Sequence, residues 1–417
     1  MNESLTSTLK LGGMAALFIA LGVTFNIGGA LLVVGAIMLM IMLHEFGHYV
    51  TARWAGMRVT DFFLGFGPIL WSIQRGDTRF GIRALPLGGY VRVIGMNNLD
   101  PIEDPEDEPF TYRSKTWWQK VRFASAGTFM HFLIAFVLMI VLLAGFGRFE
   151  GENATTTIEE VAPSLTLKGT VPSPAKVAGL RVGDKLVGID GSPVDAWESV
   201  GALLQTSEGK EILVTVERDG QRLSLPITPA TAEQKLSNGE TVKAYKIGVA
   251  PKIEVITDKM ALPAAVWNAG FEIKSLTVES TKALVGIFTP SSLSKYSKQL
   301  GERGEADPVE DGNRLLSPYG VFKIAGASAE AGGAAVLMLL ISINIFVGIF
   351  NMTPLPPFDG GHVMVATYEA VVSRIKRRRH AVDMAKLLPV AYAVIMGLVL
   401  LSASALWLDI MHPFNLG

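Results

Sequence analysis

Residues 31–56 read LLVVGAIMLMIMLHEFGHYVTARWAG, an apolar run that ends in two histidines and a glutamate. A charge near the centre of a bilayer costs roughly 3 kcal/mol on insertion scales, so ionisable groups placed there mark function. On a helix, residues i and i+4 share a face, so His44 and His48 point the same way, one turn apart. That spacing lets two imidazole nitrogens reach one Zn²⁺ at about 2.1 Å. Glu45 is turned from them by roughly 100°, near enough to reach water beside a metal without ligating it. This is the H-E-x-x-H pattern of zinc proteases, moderately specific by itself. The competing reading is two core histidines and a protonated glutamate. In a membrane span, however, an unpaired Glu45 must be neutralised or buried against partners.

Working outward, 49% of the 417 residues are hydrophobic and only 18% charged, where soluble chains approach a quarter charged. Charge-free stretches run from Leu11 to Leu43, Phe123 to Gly147, Ala331 to Phe358 and Leu387 to Leu408. Each is long enough to span, since a bilayer core needs about 20 apolar residues. The first has room for one tilted helix or a short hairpin broken near Asn26-Ile27-Gly28-Gly29. A cleaved signal peptide is the competing reading of that run, but it lacks a clear small-x-small site and the metal motif sits at its far end. The net charge of −1 says little about partners, and with no cysteine no disulfide or thiolate ligand is available.

Lys and Arg crowd two loops: Arg53 to Arg122 after the first span, and Arg374 to Arg379 before the last. Two spans separate these loops, so the charge bias predicts that both are cytoplasmic and that residues 148–330 lie outside. The second cluster is expected against anionic headgroups rather than nucleic acid. In the first loop, TRFGIRALPLGGYVRVIG (78–95) alternates apolar and polar residues and predicts a β-hairpin around Gly88-Gly89. The acidic DPIEDPEDE (100–108) reads as a solvated loop.

Beyond the second span, residues 169–194 read as short strands and glycine turns, and EILVTVERDG (211–220) as an alternating strand ending in a turn. With Gly179-Leu180 before Gly183-Asp184 and a helix near 195–207, this stretch resembles a PDZ domain, bounded at 155–252. Apolar residues from Val255 to Phe288 predict an amphipathic helix, either on the membrane or packed against the next span.

Two histidines leave a catalytic zinc one protein ligand short. NMTPLPPFDGGHV (351–363) puts Asp359 and His362 at the mouth of the third charge-free run, after a proline-broken turn. Irregular backbone at membrane depth is tolerated where protein buries it or it lines a watery cavity. Asp359 suits a third ligand, and His362 competes with it.

Together HEFGH, GFGP (65–68), LPLGGYV (85–91), the PDZ-like unit, SPYGV (317–321) and NMTPLPPFDGG resemble, in order and spacing, the site-2 protease family of intramembrane zinc metalloproteases. The bacterial branch with an inserted PDZ domain is the nearest in organisation. The resemblance implies a polytopic α-helical membrane protein with about four conserved spans and an inserted extracytoplasmic α+β PDZ domain. It leaves room for an extra N-terminal hydrophobic segment. Its parts are residues 11–56 (that segment and the first catalytic span), 57–120 (a cytoplasmic loop with a membrane-reentrant β-hairpin) and 121–147 (the second span). Residues 155–252 (PDZ), 255–330 (amphipathic linker), 331–361 (third span) and 387–408 (fourth span) follow.

The resemblance further implies that His44, His48 and Asp359 ligate one Zn²⁺, with Glu45 as general base. Asn351 and the β-loop residues Leu87, Gly88, Gly89 and Tyr90 would hold substrate, and Gly179, Leu180, Gly183 and Asp184 would belong to a PDZ site for a peptide C-terminus. It implies single-span membrane proteins as substrates, such as pre-trimmed anti-sigma factors or signal-peptide remnants, in a bacterial inner membrane. One departure stands out: the family's Gly-Pro-x-x-Asn-like element reads SAGTFMHF here, with Thr128 and His131 at the changed positions. A PDZ scaffold with a structural metal is the alternative from another class. A structural zinc site is usually closed by four protein ligands, and only three good ones are visible. A metal transporter would want ionisable residues along several spans.

Overall fold

A computed structural model describes residues 27–96, 104–166, 170–235, 241–301 and 315–411, with Gly12, Gly13, Gly22 and Thr24. The apolar segment expected ahead of Ile27 lies almost wholly outside these residues, as does the start of the acidic stretch. The chain divides into two units, residues 1–146 with 260–417, and residues 147–259.

In the first unit, helix α1 (Gly28–Trp54) opens on Ile27, whose φ of −106° and ψ of 18° are not helical. Strands β1 (Val59–Arg75) and β2 (Thr78–Val93) follow. The pattern of 78–95 predicts a turn at Gly88-Gly89; the structure turns at Gly76-Asp77 instead. Residues 59–64 are flanked on both sides, because Phe62 pairs with Phe80 and Val91, and Leu64 with Ile82 and Gly89. Residues 69–75 lie outside 78–83. The two glycines serve close approach rather than reversal. A Cβ on Gly89 would stand 2.8 Å from Cγ of Glu45, and one on Gly88 would stand 3.0 Å from the Phe66 ring. The reversal between 64 and 69 falls to Gly65 (φ +84°), where a Cβ would meet the Leu85 carbonyl oxygen at 2.6 Å.

Helix α2 (Trp117–Val141) starts at a reciprocal capping box of Thr116 and Gln119 and ends in a wider turn, Leu142–Phe146. Gly47 of α1 lies against α2, where a Cβ would meet the Ala126 carbonyl at 2.7 Å. Small residues at such crossings let membrane helices pack closely, which matters where lipid supplies no hydrophobic drive for association.

The second unit is a sheet of strands β3 (Arg148–Val161), β4 (Lys185–Ile189), β5 (Ile212–Arg218), β6 (Gln221–Ile227) and β7 (Val249–Asp258), in the order β7-β3-β4-β5-β6. Helix α3 (Trp197–Thr206) buries Val200 and Leu204 against Leu186, Val214, Val216 and Ile227. Asp219-Gly220, both at positive φ, make the tight turn between β5 and β6. The run 169–194 holds a one-turn helix, Pro174–Val177, besides its strands and turns. Residues 255–258, expected in an amphipathic helix, finish β7 because they pair with 148–152 of β3.

Back in the first unit, the expected linker resolves into helices α4 (Leu262–Ile287), α5 (Pro290–Gly301) and α6 (Pro318–Ala331). Ala265 and Ala269 of α4 are buried with Ala135 and Met139 of α2, so α4 packs on the bundle. Helix α7 (Gly333–Asn351) supplies Ile341 and Ile345 to the same cluster. The third span, expected to reach residue 361, ends at Asn351, because prolines 354, 356 and 357 break it; helix α8 (Asp359–Lys376) then starts afresh. Helix α9 (Leu388–Met411) is tied to the start of α6, where Ser317 N–H donates to Asp409 at 3.0 Å. Among the described residues, four helical stretches are long and apolar enough to cross a membrane: Gly28–Trp54, Trp117–Phe146, Gly333–Asn351 and Met384–Met411. Leu32, Phe129, Val137 and Leu400 stand exposed on them, as lipid contact requires.

Candidate metal centre

His44, His48 and Asp359 converge although α1 and α8 lie at opposite ends of the chain. The Nε2 atoms of the two histidines are 3.2 Å apart, and Oδ2 of Asp359 is 3.5 Å from that of His44 and 3.4 Å from that of His48. Ligands about 2.1 Å from a tetrahedral zinc lie about 3.4 Å from one another, so the triangle already has the size of one face of that tetrahedron. Both histidines are buried, and the Asp359 side chain is only 18% exposed. Oδ2 of Asp359 accepts no hydrogen bond from a described residue although it is buried. His48 donates its Nδ1–H to the Phe123 carbonyl at 2.8 Å, which leaves its Nε2 lone pair facing the other two groups. Two nitrogens and a carboxylate oxygen facing one another without a donor fit a divalent cation.

Gly127 of α2 forms the floor of this cradle. A Cβ there would stand 2.3 Å from Cε1 of His44 and 2.5 Å from each Nε2. Glycine is therefore required by volume, not by backbone angle. Glu45 is turned toward the sheet, where its Cγ lies against Gly89. Residues 89–93 pair only with 59–64 among the described residues, so their other edge faces α1 and Glu45.

The remaining expected residues separate into groups. His362 lies one turn beyond Asp359 and does not join the converging set. Asn351 ends α7, half-buried, with no side-chain hydrogen bond to a described residue. Leu87 and Gly88 lie in β2, and the Tyr90 ring stacks near Phe63 and Phe66 while its hydroxyl accepts from Arg83 at 2.7 Å. Gly179, Leu180, Gly183 and Asp184 sit in the second unit. There Leu180 is in the core and Asp184 is clamped by Arg218 at 2.7 Å. None of the four lines the cavity of about 420 Å³ that opens beside Trp197, Val200 and Leu204 of α3 and runs along residues 244–250.

Sequence reasoning passed over Gly127 and Asn344. Asn344 is fully buried in α7; it accepts from His131 at 2.9 Å and donates to the Leu340 carbonyl. Thr128 donates to the Gly348 carbonyl at 3.3 Å. The two departures in SAGTFMHF thus both join α2 to α7. A lone Asn inside ISINIF was the available signal, since polar groups in spans seek partners.

Two histidines a helical turn apart, with a distant aspartate converging on them and a glutamate beside them, form the arrangement expected of a zinc-dependent metalloprotease, set among helices long and apolar enough to cross a membrane. The comparisons agree: residues 32–396 match Peptidase family M50, and the chain belongs to that family, the site-2 proteases. It is similar to the zinc metalloprotease Rip1 of Mycobacterium tuberculosis, 31% identical over 413 residues that cover 93% of this chain and 98% of that one. Rip1 of Mycolicibacterium smegmatis is 33% identical over 423 residues, covering 94% and 99%. The putative zinc metalloprotease mll0638 of Mesorhizobium japonicum is 30% identical over 353 residues, covering 80% and 87%.

Proposed function

We propose that this multi-pass protein is an endopeptidase that cleaves the transmembrane segments of single-span membrane proteins, such as pre-trimmed anti-sigma factors or signal-peptide remnants, in regulated intramembrane proteolysis. The observation that carries this reading is the edge of residues 89–93 that no described strand pairs, beside Glu45 and the metal cradle. A helical peptide bond is shielded, so a substrate must unwind before it is cut. An extended segment can add to a free strand edge through main-chain hydrogen bonds, which here sets it beside Glu45. His44, His48 and Asp359 would hold Zn²⁺, a Lewis acid that makes water nucleophilic at neutral pH. Glu45 takes the proton from the attacking water and returns it to the leaving amide nitrogen. Asn351, at the rim of the turn 352–358, positions the substrate segment.

The second unit is read as a PDZ domain that screens substrates by ectodomain size or docks new C-termini. Its groove is the cavity beside α3 rather than the turn at 179–184. The positive charge of the loops supports a reading in which the metal centre lies toward the cytoplasmic side of a bacterial inner membrane and the second unit outside. The test is Glu45→Gln in detergent, with cleavage of a tagged single-span substrate followed by gel and zinc counted by elemental analysis. About one zinc per chain without cleavage is expected; cleavage at the wild-type rate would overturn the mechanism.

A further inference from the structure

A polar cleft of about 260 Å³ opens where the loop before α2 meets the end of α8, lined among others by Arg113, Lys115, Lys120, Arg379 and His380. Its two carboxylates are already engaged. Glu108 takes Arg113 at 2.5 Å; Glu369 takes Lys120 at 2.8 Å and the Val382 N–H at 2.8 Å. Lys115 and Arg379 are left with carbonyl partners, Pro109 O at 2.7 Å and Ser114 O at 3.2 Å, and neither forms an ion pair among the described residues. Lys115 is also partly buried, and that desolvation lowers its pKa, as expected for an ammonium group short of a counter-charge.

The depth of the cleft is marked independently. Trp54 ends α1, Trp117 and Trp118 begin α2, and all three are exposed. Such aromatics gather at headgroup level. Trp117 itself lines the cleft, and its indole N–H donates to Thr367 of α8 at 3.1 Å. A cavity lined by four cations, Arg113, Lys115, Lys120 and Arg379, against the two carboxylates Glu108 and Glu369, beside tryptophans of the headgroup level, calls for an anion that the membrane itself carries.

We propose that this cleft binds the phosphate of an anionic phospholipid, held between Lys115 on the loop and Arg379 beyond the end of α8. The lipid would join the loop before α2 to the segment after α8, next to where Lys120 of α2 pairs with Glu369 of α8. It would also brace α8, whose first residue is Asp359.

The full chain is placed in nanodiscs of equal phosphatidylglycerol and phosphatidylcholine, and retained lipid is counted by native mass spectrometry. Zinc content serves as the check that each protein is folded. Wild type should retain phosphatidylglycerol preferentially. Each cation removed should weaken retention about fivefold, so Lys115→Gln with Arg379→Gln should lose about 25-fold. Arg377→Gln, on the exposed turn outside the cleft, should change little. Equal retention of the two lipids by wild type overturns the proposal without recourse to any variant. So does a loss in Arg377→Gln as large as in the double variant, which would mean a diffuse charge effect. Glycerol phosphate binding as tightly as the phospholipid would make the ligand a soluble phosphate and overturn the lipid assignment.

Discussion

His131 donates its Nδ1–H to Oδ1 of Asn344, 213 positions away in sequence, and the His131 ring lies 4.9 Å from that of His44. Because Asn344 Nδ2 donates to the Leu340 carbonyl at 2.8 Å, its oxygen is the atom that faces His131. The pair couples α2 and α7 immediately behind the metal cradle and fixes the tautomer of a third histidine beside it.

Asn344→Leu leaves the His131 donor buried without its acceptor. The expected loss is about 1 kcal/mol of stability, together with weaker zinc retention, because His131 packs on His44. Thermal unfolding in detergent and a chelator competition read the two effects. Unchanged zinc retention would mean that the pair is structural only.

Gly127→Ala puts a methyl into the volume between His44 and His48. Zinc should fall from about one per chain to a small fraction, with helix content by circular dichroism retained. Full zinc occupancy in a folded variant would show that the cradle lies elsewhere.

Gly89→Ala presses on Glu45 and leaves the converging groups untouched. Cleavage should drop on the order of 10²-fold, as for a misplacement of about 1 Å, with zinc content unchanged. Loss of zinc in parallel would place Gly89 in the cradle rather than behind the base.

Asp359→Asn should strip the metal, whereas His362→Gln should keep it, with affinity weakened at most about 10–100-fold if the ring supports Asp359 indirectly. Elemental analysis of the two proteins decides between these residues. The reverse result would exchange their roles.

In the second unit, burial pushes the Asp184 carboxyl up, but hydrogen bonds from Arg218 and the Arg181 N–H outweigh it and hold the group below its ordinary 3.8. A carboxylate depressed in the folded state contributes stability that is complete above its unfolded pKa and is lost as pH falls through the folded one. Urea resistance of residues 147–259, read by proteolytic nicking within the full chain, should therefore hold from pH 7 to about pH 4 and decline below. In Arg218→Met the decline should vanish, with resistance already reduced at pH 7. A wild-type profile that stays flat to pH 2 would refute the clamp.

The spans and the central triad were legible because their signals are strong and simple. Charge-free length gives a membrane helix, and His44 and His48 share a face whatever surrounds them. Asp359 was legible as a polar residue after a proline break, yet sequence left His362 in contention, since only the close approach of α8 to α1 separates them. The sheet misled because Gly88-Gly89 has the same local signature whether the chain turns there or another side chain passes close by. Val255 and Ile256 show a related limit, since apolar residues suit a helix face or a strand, and the pairing with β3 decides. Gly127 was silent because a glycine in an apolar helix looks like any packing position.

Asp359 completes a site whose other members sit near the front of the chain, and this sets an order in time. During synthesis His44 and His48 enter the bilayer with Glu45 already between them, while α8 is still unmade. On the ligand set proposed above, a ribosome-bound chain that stops short of Asp359 holds two of three ligands and is inert. On that ligand set, neighbouring proteins inserting through the same translocation machinery are spared until α8 has been made. The distance along the chain between the first two ligands and the third would then act as a timer, holding the site incomplete while the first spans insert.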